Sequence, residues 1–332
     1  MAAVAVLGAG AWGTALGKVL AEKGNEVRLY ARRSDLAAEI NEARANVRYL
    51  PGIRVPDNMT ATHDLERTLH GAELVVFVVP SHAMRETVKE AAPFLSKKAI
   101  AVSATKGIEN GSLSFMDEIL REGLDLPDDR LAFLSGPSFA KELALEQPTA
   151  VVVASRNQHT AHDVMHRFHT NYLRLYASDD VPGVECGGAL KNVIAIATGA
   201  VDGLGLGANT RAALITRGLA EVARLSDARG GNVRTLAGLA GLGDLVLTCT
   251  GELSRNRTVG IELGKGRKLD DIVATLGHVA EGVKTAKSAN DLADRLNVDM
   301  PITREIYRVL YEGKTVQAAL AELMARELGP EF

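Results

Sequence analysis

Ala3-Val-Ala-Val-Leu-Gly-Ala-Gly-Ala-Trp-Gly-Thr-Ala15 is the stretch whose reading decides the fold. Ala3–Leu7 is a short apolar run, a glycine-rich turn follows, and Thr14 to Lys23 has helical composition. The order strand, turn, helix gives the three glycines separate tasks. Gly8 permits the tight turn, Gly10 lets the backbone approach a pyrophosphate, and Gly13 allows the helix to pack closely on the strand. The backbone N–H groups of the helix start then face the phosphates. The stretch predicts a Rossmann-type dinucleotide-binding domain in an α/β fold.

Working outward, a second strand, Glu26 to Tyr30, ends at Ala31-Arg32-Arg33, where an NAD-binding domain usually carries an acidic residue for the ribose 2′-hydroxyl. Two guanidiniums suit a 2′-phosphate better, because arginine makes forked, charge-assisted bonds to phosphate oxygens. NADP(H) is therefore favoured, with NAD(H) also possible. The competing reading makes both arginines surface groups before a helix capped by Ser34-Asp35.

The apolar runs Leu74–Val79, Ala99–Ser103, Leu131–Leu134, Ala150–Ala154 and Tyr172–Tyr176 read as further strands. Ligands of open α/β sheets sit beyond the carboxyl ends of strands, which makes Lys106, just after Ala99–Ser103, a candidate for an anionic substrate or a carbonyl oxygen. His82 is a weaker one. After Leu134, Gly136 allows close backbone approach and Ser138 offers a hydroxyl. His159, His162, His166 and His169 fall on one side of a helix and Ala161, Val164, Met165 and Phe168 on the other, so they read as a wet helix face and no metal is expected.

From Asp179 onward the strand signals stop, which divides the chain into a dinucleotide-binding domain, 1–180, and a helical substrate domain, 181–332. Glu185 to Ala200 is apolar nearly all round, as a buried helix is, yet it carries Lys191 and Asn192. Desolvation disfavours an ammonium, so the pKa of Lys191 is expected to fall toward the range of a general acid/base; the competing reading is a lysine that snorkels its head to water at the domain edge. Further on, Ser254 reads as an N-cap with Arg255 and Asn256 in the first turn, a plausible phosphate site or simply a capped surface helix. Glu281 opens another helix.

Composition sets the outer bounds. Hydrophobic residues are 46%, charged residues 24% and the formal net charge is -3, which gives no global reason to expect nucleic acid or an anionic membrane. Cys186 and Cys249 make no disulfide framework. With no signal-like or membrane-spanning run, the expectation is a cytoplasmic protein.

Several motifs together resemble the NAD(P)-dependent glycerol-3-phosphate dehydrogenases over essentially the whole chain. They are Gly8-Ala-Gly-Ala-Trp-Gly-Thr-Ala15, Val79-Pro-Ser-His82, Ala104-Thr-Lys-Gly107, Ser135-Gly-Pro-Ser-Phe-Ala-Lys-Glu-Leu143, Gly187-Gly-Ala-Leu-Lys-Asn-Val-Ile-Ala195, Gly241-Leu-Gly-Asp-Leu-Val-Leu-Thr248 and Ser254-Arg-Asn-Arg257. The resemblance implies an enzyme interconverting dihydroxyacetone phosphate and sn-glycerol 3-phosphate, the latter for glycerophospholipid synthesis, and is compatible with a homodimer. It implies Lys191 as proton donor/acceptor. Lys106, Gly136, Ser138, Asn192, Asp244, Ser254, Arg255 and Asn256 would surround the triose phosphate, and Trp12, Arg32, Arg33, Lys106, Ala140, Arg255, Val279 and Glu281 would lie along the cofactor. Asp244 would either orient Lys191 or hold a substrate hydroxyl. Ala11 departs from similar enzymes, which often carry Ser there, and loses one side-chain contact. Two rival readings keep the fold: a dehydrogenase for a hydroxy acid, and a non-catalytic NADP(H)-binding redox sensor.

Overall fold

The computed structural model describes residues 2–276, 280–329 and 331. Two compact units are seen, one comprising the residues up to Lys106 with Ser114–Glu185, the other Gly107–Leu113 with the residues from Cys186 onward.

The first unit is built on eight strands: β1 Ala3–Leu7, β2 Glu26–Tyr30, β3 Met59–Thr62, β4 Leu74–Phe77, β5 Ile100–Ser103, β6 Leu131–Ser135, β7 Thr149–Ala154 and β8 Leu173–Ser178. Their order across the sheet is β3-β2-β1-β4-β5-β6-β7-β8, and only the β6–β7 pair is antiparallel. All side chains of β4, β5 and β6 are buried, which is why these strands appear in the sequence as continuous apolar runs. β3, Met-Thr-Ala-Thr, was not among the expected strands. It is a short edge strand in which Met59 is buried and Thr60 exposed, too brief for a periodicity to show.

The glycine turn explains itself atom by atom. Gly8 has φ +128°, outside what L residues readily adopt, and a Cβ there would lie 2.3 Å from Val78 O. A Cβ on Gly13 would lie 1.9 Å from Gly8 O. At Gly10 a Cβ would meet nothing within 4 Å, so this glycine answers to no neighbour in the fold. The first two are required by packing; the third leaves room. On the later helix Gln158–Phe168, His159, His162 and His166 are exposed, as is His169 just beyond it, while Ala161, Val164 and Phe168 are buried.

From Val181 onward the described elements are all helical. Val181–Gly203 is long and apolar enough to cross a membrane by composition, but 89% of its apolar window is buried inside the fold, so it is a core helix. Glycines let it touch its neighbours backbone to backbone. A Cβ on Gly199 would lie 2.1 Å from Arg257 O, one on Gly260 2.1 Å from Ile196 O, and one on Gly264 2.2 Å from Ala200 O. Any side chain at these points would force Val181–Gly203 and Arg255–Gly264 apart. The helix bearing Lys191 and the helix opened by Arg255 are thereby fixed against each other.

Candidate active site

In the first unit the helix Ala11–Glu22 starts directly after Gly10, which is its N-cap and has no side chain to satisfy the free N–H groups of the first turn. Thr14 Oγ1 donates to Gly10 O at 2.9 Å. Trp12 is partly buried against the core, and Ala11 leaves the helix start without a hydroxyl. Arg32 and Arg33 follow β2 and are exposed. Arg33 is engaged, bonding Asp35 at 2.8 Å and 3.2 Å, and the cap assigned to Ser34-Asp35 is not made: Arg33 is the N-cap residue and no side chain caps through it. Asp35 instead serves as a counter-ion, its carboxyl held well below the usual range by Arg33 and Arg48.

A second cluster forms beyond β5 and β6. Lys106 Nζ donates to Gly136 O at 3.0 Å and Ser138 Oγ to the same oxygen at 2.9 Å. Gly136 has φ +134°, and a Cβ there would come within 2.9 Å of Val151 Cα, so the position must be glycine. Three expected site residues thus meet at one carbonyl. Ala140 begins the next short helix, and His82 is exposed on a 3-10 turn.

In the helical unit Lys191 is 8% exposed and forms an ion pair through Nζ with Oδ1 of Asp244, which is fully buried. Of the two roles open to Asp244, contact with Lys191 is the one observed. The aspartate sits at the first turn of Asp244–Thr250, just after a π-helical turn Leu239–Gly243, and Thr248 Oγ1 donates to its main-chain oxygen at 2.6 Å. A buried carboxylate bonded to a buried ammonium fixes its head. Burial alone, the basis of the expectation for Lys191, therefore does not describe its setting.

Next to it runs a chain of amides. The N–H of Gly282 donates to Asn256 Oδ1 at 2.9 Å, and Asn256 Nδ2 donates to Asn192 Oδ1 at 2.9 Å. A backbone N–H can only donate, so the oxygen of Asn256 must face Gly282 and the oxygen of Asn192 must face Asn256. The NH2 group of Asn192 is the donor end of this chain. A Cβ on Gly282 would lie 2.6 Å from Asn192 O, which holds this position to glycine.

Ser254 caps Arg255–Gly264, its Oγ accepting from the Arg257 N–H at 3.3 Å. Arg255 is exposed at the first helical position and Asn256 is buried. Arg257, which the sequence left without a task, binds Asp202 through Nε at 3.0 Å and Nη2 at 2.7 Å, while Arg211 takes the other oxygen of Asp202 at 2.6 Å. Glu281, half-buried, opens Glu281–Leu296; Val279 lies outside the described residues. Gly282, Asp202 and Asn46, described below, carried no sequence signal, because each acts through a partner at least 26 residues away.

A Rossmann-type sheet joined in one chain to a helical unit with a buried lysine–aspartate pair is the build of a two-unit dehydrogenase. Comparison with known proteins narrows the class. Residues 3–161 match the description "NAD-dependent glycerol-3-phosphate dehydrogenase N-terminus" and residues 180–321 the corresponding C-terminus. A glycerol-3-phosphate dehydrogenase [NAD(P)+] of Citrifermentans bemidjiense is 52% identical over 99% of this chain and 98% of its own length, and that of Myxococcus xanthus is 52% identical over 97% and 96%. The crystal structure of glycerol-3-phosphate dehydrogenase from Coxiella burnetii superposes with a TM-score of 0.93 at 43% identity, covering 97% of this chain and 98% of that one. The chain belongs to the NAD-dependent glycerol-3-phosphate dehydrogenase family.

Proposed function

We propose that this protein is an NAD(P)-dependent glycerol-3-phosphate dehydrogenase that interconverts dihydroxyacetone phosphate and sn-glycerol 3-phosphate in the cytosol, feeding glycerophospholipid synthesis. The observation that carries the reading is the buried Lys191–Asp244 pair beside the Gly282–Asn256–Asn192 amide chain, within a chain of this family. Residues 1–180 would form the dinucleotide-binding domain and residues 181–332 the helical domain that carries the proton donor/acceptor.

The first unit suits the cofactor on its own geometry. The uncapped start of Ala11–Glu22 supplies N–H groups for a pyrophosphate and the open space at Gly10 lets it approach. Gly8, Gly10, Ala11, Trp12 and Gly13 would hold it there, and Arg32 and Arg33 would favour NADP(H) while NAD(H) remains usable. Lys106 and Ala140 of this unit, and Arg255 and Glu281 of the helical unit, are the further residues proposed for it. When bound, the nicotinamide supplies or accepts the hydride at C2.

The remaining chemistry belongs to the chain. In the reducing direction Lys191 donates a proton to the C2 oxygen as negative charge develops there, and in the oxidising direction it takes the proton from the hydroxyl. Asp244 holds the head of Lys191 aimed. Asn192 offers its NH2 to a substrate oxygen, and the further groups proposed for the triose phosphate are Lys106, Gly136 and Ser138 of the first unit and Ser254, Arg255 and Asn256 of the helical unit. Following NADPH absorbance on addition of dihydroxyacetone phosphate tests the assignment. Oxidation of NADPH is the expected result; none with the triose phosphate but turnover with an α-keto acid would transfer the enzyme to hydroxy acids, and none with either would leave a dinucleotide-binding sensor.

A further inference from the structure

The segment after β2 carries Arg32, Arg33 and Asp35, and Asp35 draws in an arginine from further along the chain. Arg33 forks onto both oxygens of Asp35, and Arg48 Nη1 reaches Oδ2 at 3.0 Å. Arg48 is held from its other side by Glu39, which accepts from Nε at 2.7 Å. Two guanidiniums thus converge on one carboxylate at the end of β2.

Asn46 explains why Arg48 is there. It is fully buried, and its Nδ2 donates to Ala9 O in the glycine turn at 3.0 Å and to Thr14 Oγ1 at 2.8 Å. Its Oδ1 accepts the Tyr49 N–H at 3.3 Å, closing a tight turn around Arg48. This anchors the segment 46–50 to the glycine turn, beside the end of the second strand. In this fold that is where the adenosine ribose and its 2′ substituent are held.

We propose that Arg48 is a third guanidinium of the 2′-phosphate site and a specificity-determining residue for NADP(H), with Asp35 as an internal carboxylate that occupies Arg33 and Arg48 until the phosphate displaces it. The inference rests on the reading that the end of β2 receives a 2′-phosphate. A phosphate brings more charge and one more acceptor oxygen than a carboxylate, so it competes well for two forked guanidiniums. The pairs it must break are water-exposed, with side chains of Arg33, Asp35 and Arg48 at 57%, 55% and 35% exposure, and exposed pairs contribute little. The exchange is therefore cheap, and removing the carboxylate should favour the cofactor.

Direct titration of NADPH and NADH into the full chain, followed by fluorescence, tests this with Arg48→Ala, Arg48→Lys and Asp35→Asn. Arg48→Ala is expected to raise the Kd for NADPH about tenfold and to leave NADH within about twofold, in line with the loss of a charged hydrogen bond. Arg48→Lys should fall between, since an ammonium keeps the charge and loses the fork. Asp35→Asn, which needs no new packing, should tighten NADPH roughly threefold and leave NADH unchanged. Equal weakening of both dinucleotides by Arg48→Ala, or weaker NADPH binding by Asp35→Asn, would overturn the proposal. A wild-type chain with no preference for NADPH would overturn the 2′-phosphate reading and this inference with it. A wild-type preference that both variants leave intact would remove Arg48 and keep that reading.

Discussion

In the Rossmann unit the groups proposed to meet a ligand are backbone N–H groups and arginines standing in water; in the helical unit most of them are side chains sunk to within a tenth of their surface, each tied to another. Lys191, Asn192 and Asn256 are 8%, 6% and 9% exposed and Asp244 is fully buried, whereas Arg33 and Asp35 are more than half exposed. The difference is one of dielectric. Water screens the arginines, so they can be lost or traded at modest cost, but a buried charge or amide that loses its partner retains the full penalty of desolvation. The helical unit should therefore be brittle where the Rossmann unit is tunable.

The sharpest test of that contrast is Lys191→Met. Turnover is expected to fall by at least roughly a hundredfold, the typical contribution of a positioned acid/base, while NADPH affinity stays close to wild type. A Met variant that kept most of its turnover would break both the assignment and the contrast.

Arg255 sits between the two regimes, exposed at the start of a helix that is otherwise locked in place. Arg255→Ala should cost on the order of 2 to 5 kcal/mol in kcat/KM for dihydroxyacetone phosphate, the range for truncating one partner of a desolvated charge pair. Unphosphorylated dihydroxyacetone should be affected far less. Equal losses for both trioses, or a deficit confined to NADPH titration, would move the phosphate to Lys106 and Ser138.

For the tunable side, replacing Arg32 and Arg33 together with uncharged residues should raise the KM for NADPH by roughly tenfold or more and that for NADH much less, as expected when charged hydrogen bonds to one phosphate are lost. Added salt should shrink the gap in the wild type, because the screening length near physiological ionic strength is about 8 Å. Equal weakening of the two cofactors would make these arginines structural.

The same contrast explains what the sequence reveals. Gly8 and Gly13 are legible because the positive φ of Gly8 and the approach of Gly13 to Gly8 are constraints within the motif, although the contact of Gly8 with Val78 is not. The Ser254 cap and the burial of the Lys191 helix are legible for the same reason, one from a short polar spacing and one from an all-round apolar surface. Asp35 misleads, since a residue placed to cap a helix serves instead as a counter-ion to Arg33 and to Arg48, 13 positions on. The amide chain is invisible: Asn192, Asn256 and Gly282 lie far apart along the chain, and nothing in their spacing says that one sets the orientation of the next. Gly199, Gly260 and Gly264 show only as helix-weakening residues until the facing backbone is seen.

Glu221 gives the last test, on stability alone. This carboxylate, on Ala208–Ala228, is 1% exposed and accepts from the N–H groups of Ile302 and Thr303 and from Thr303 Oγ1, closing the start of Pro301–Tyr311, whose Pro301 has no N–H to offer. Burial pushes its pKa up to about 7 against the lowering effect of those donors. The sign follows from proton counts. Between the ordinary carboxyl value of 4.5 and about 7 the folded chain binds a proton that the unfolded chain has released, so stability falls as pH rises. The contribution is complete below the unfolded value and lost as pH passes through about 7. Tm should therefore decline by a few degrees between pH 5.5 and pH 8, a shift of the size expected for about 1 kcal/mol or more in a chain of this length. Glu221→Gln should lower Tm at pH 5.5, because an amide NH2 would face a backbone N–H, and should flatten the decline above it. An unchanged slope in the Gln variant would assign the pH dependence to other groups and leave Glu221 as a buried cap whose charge does not matter.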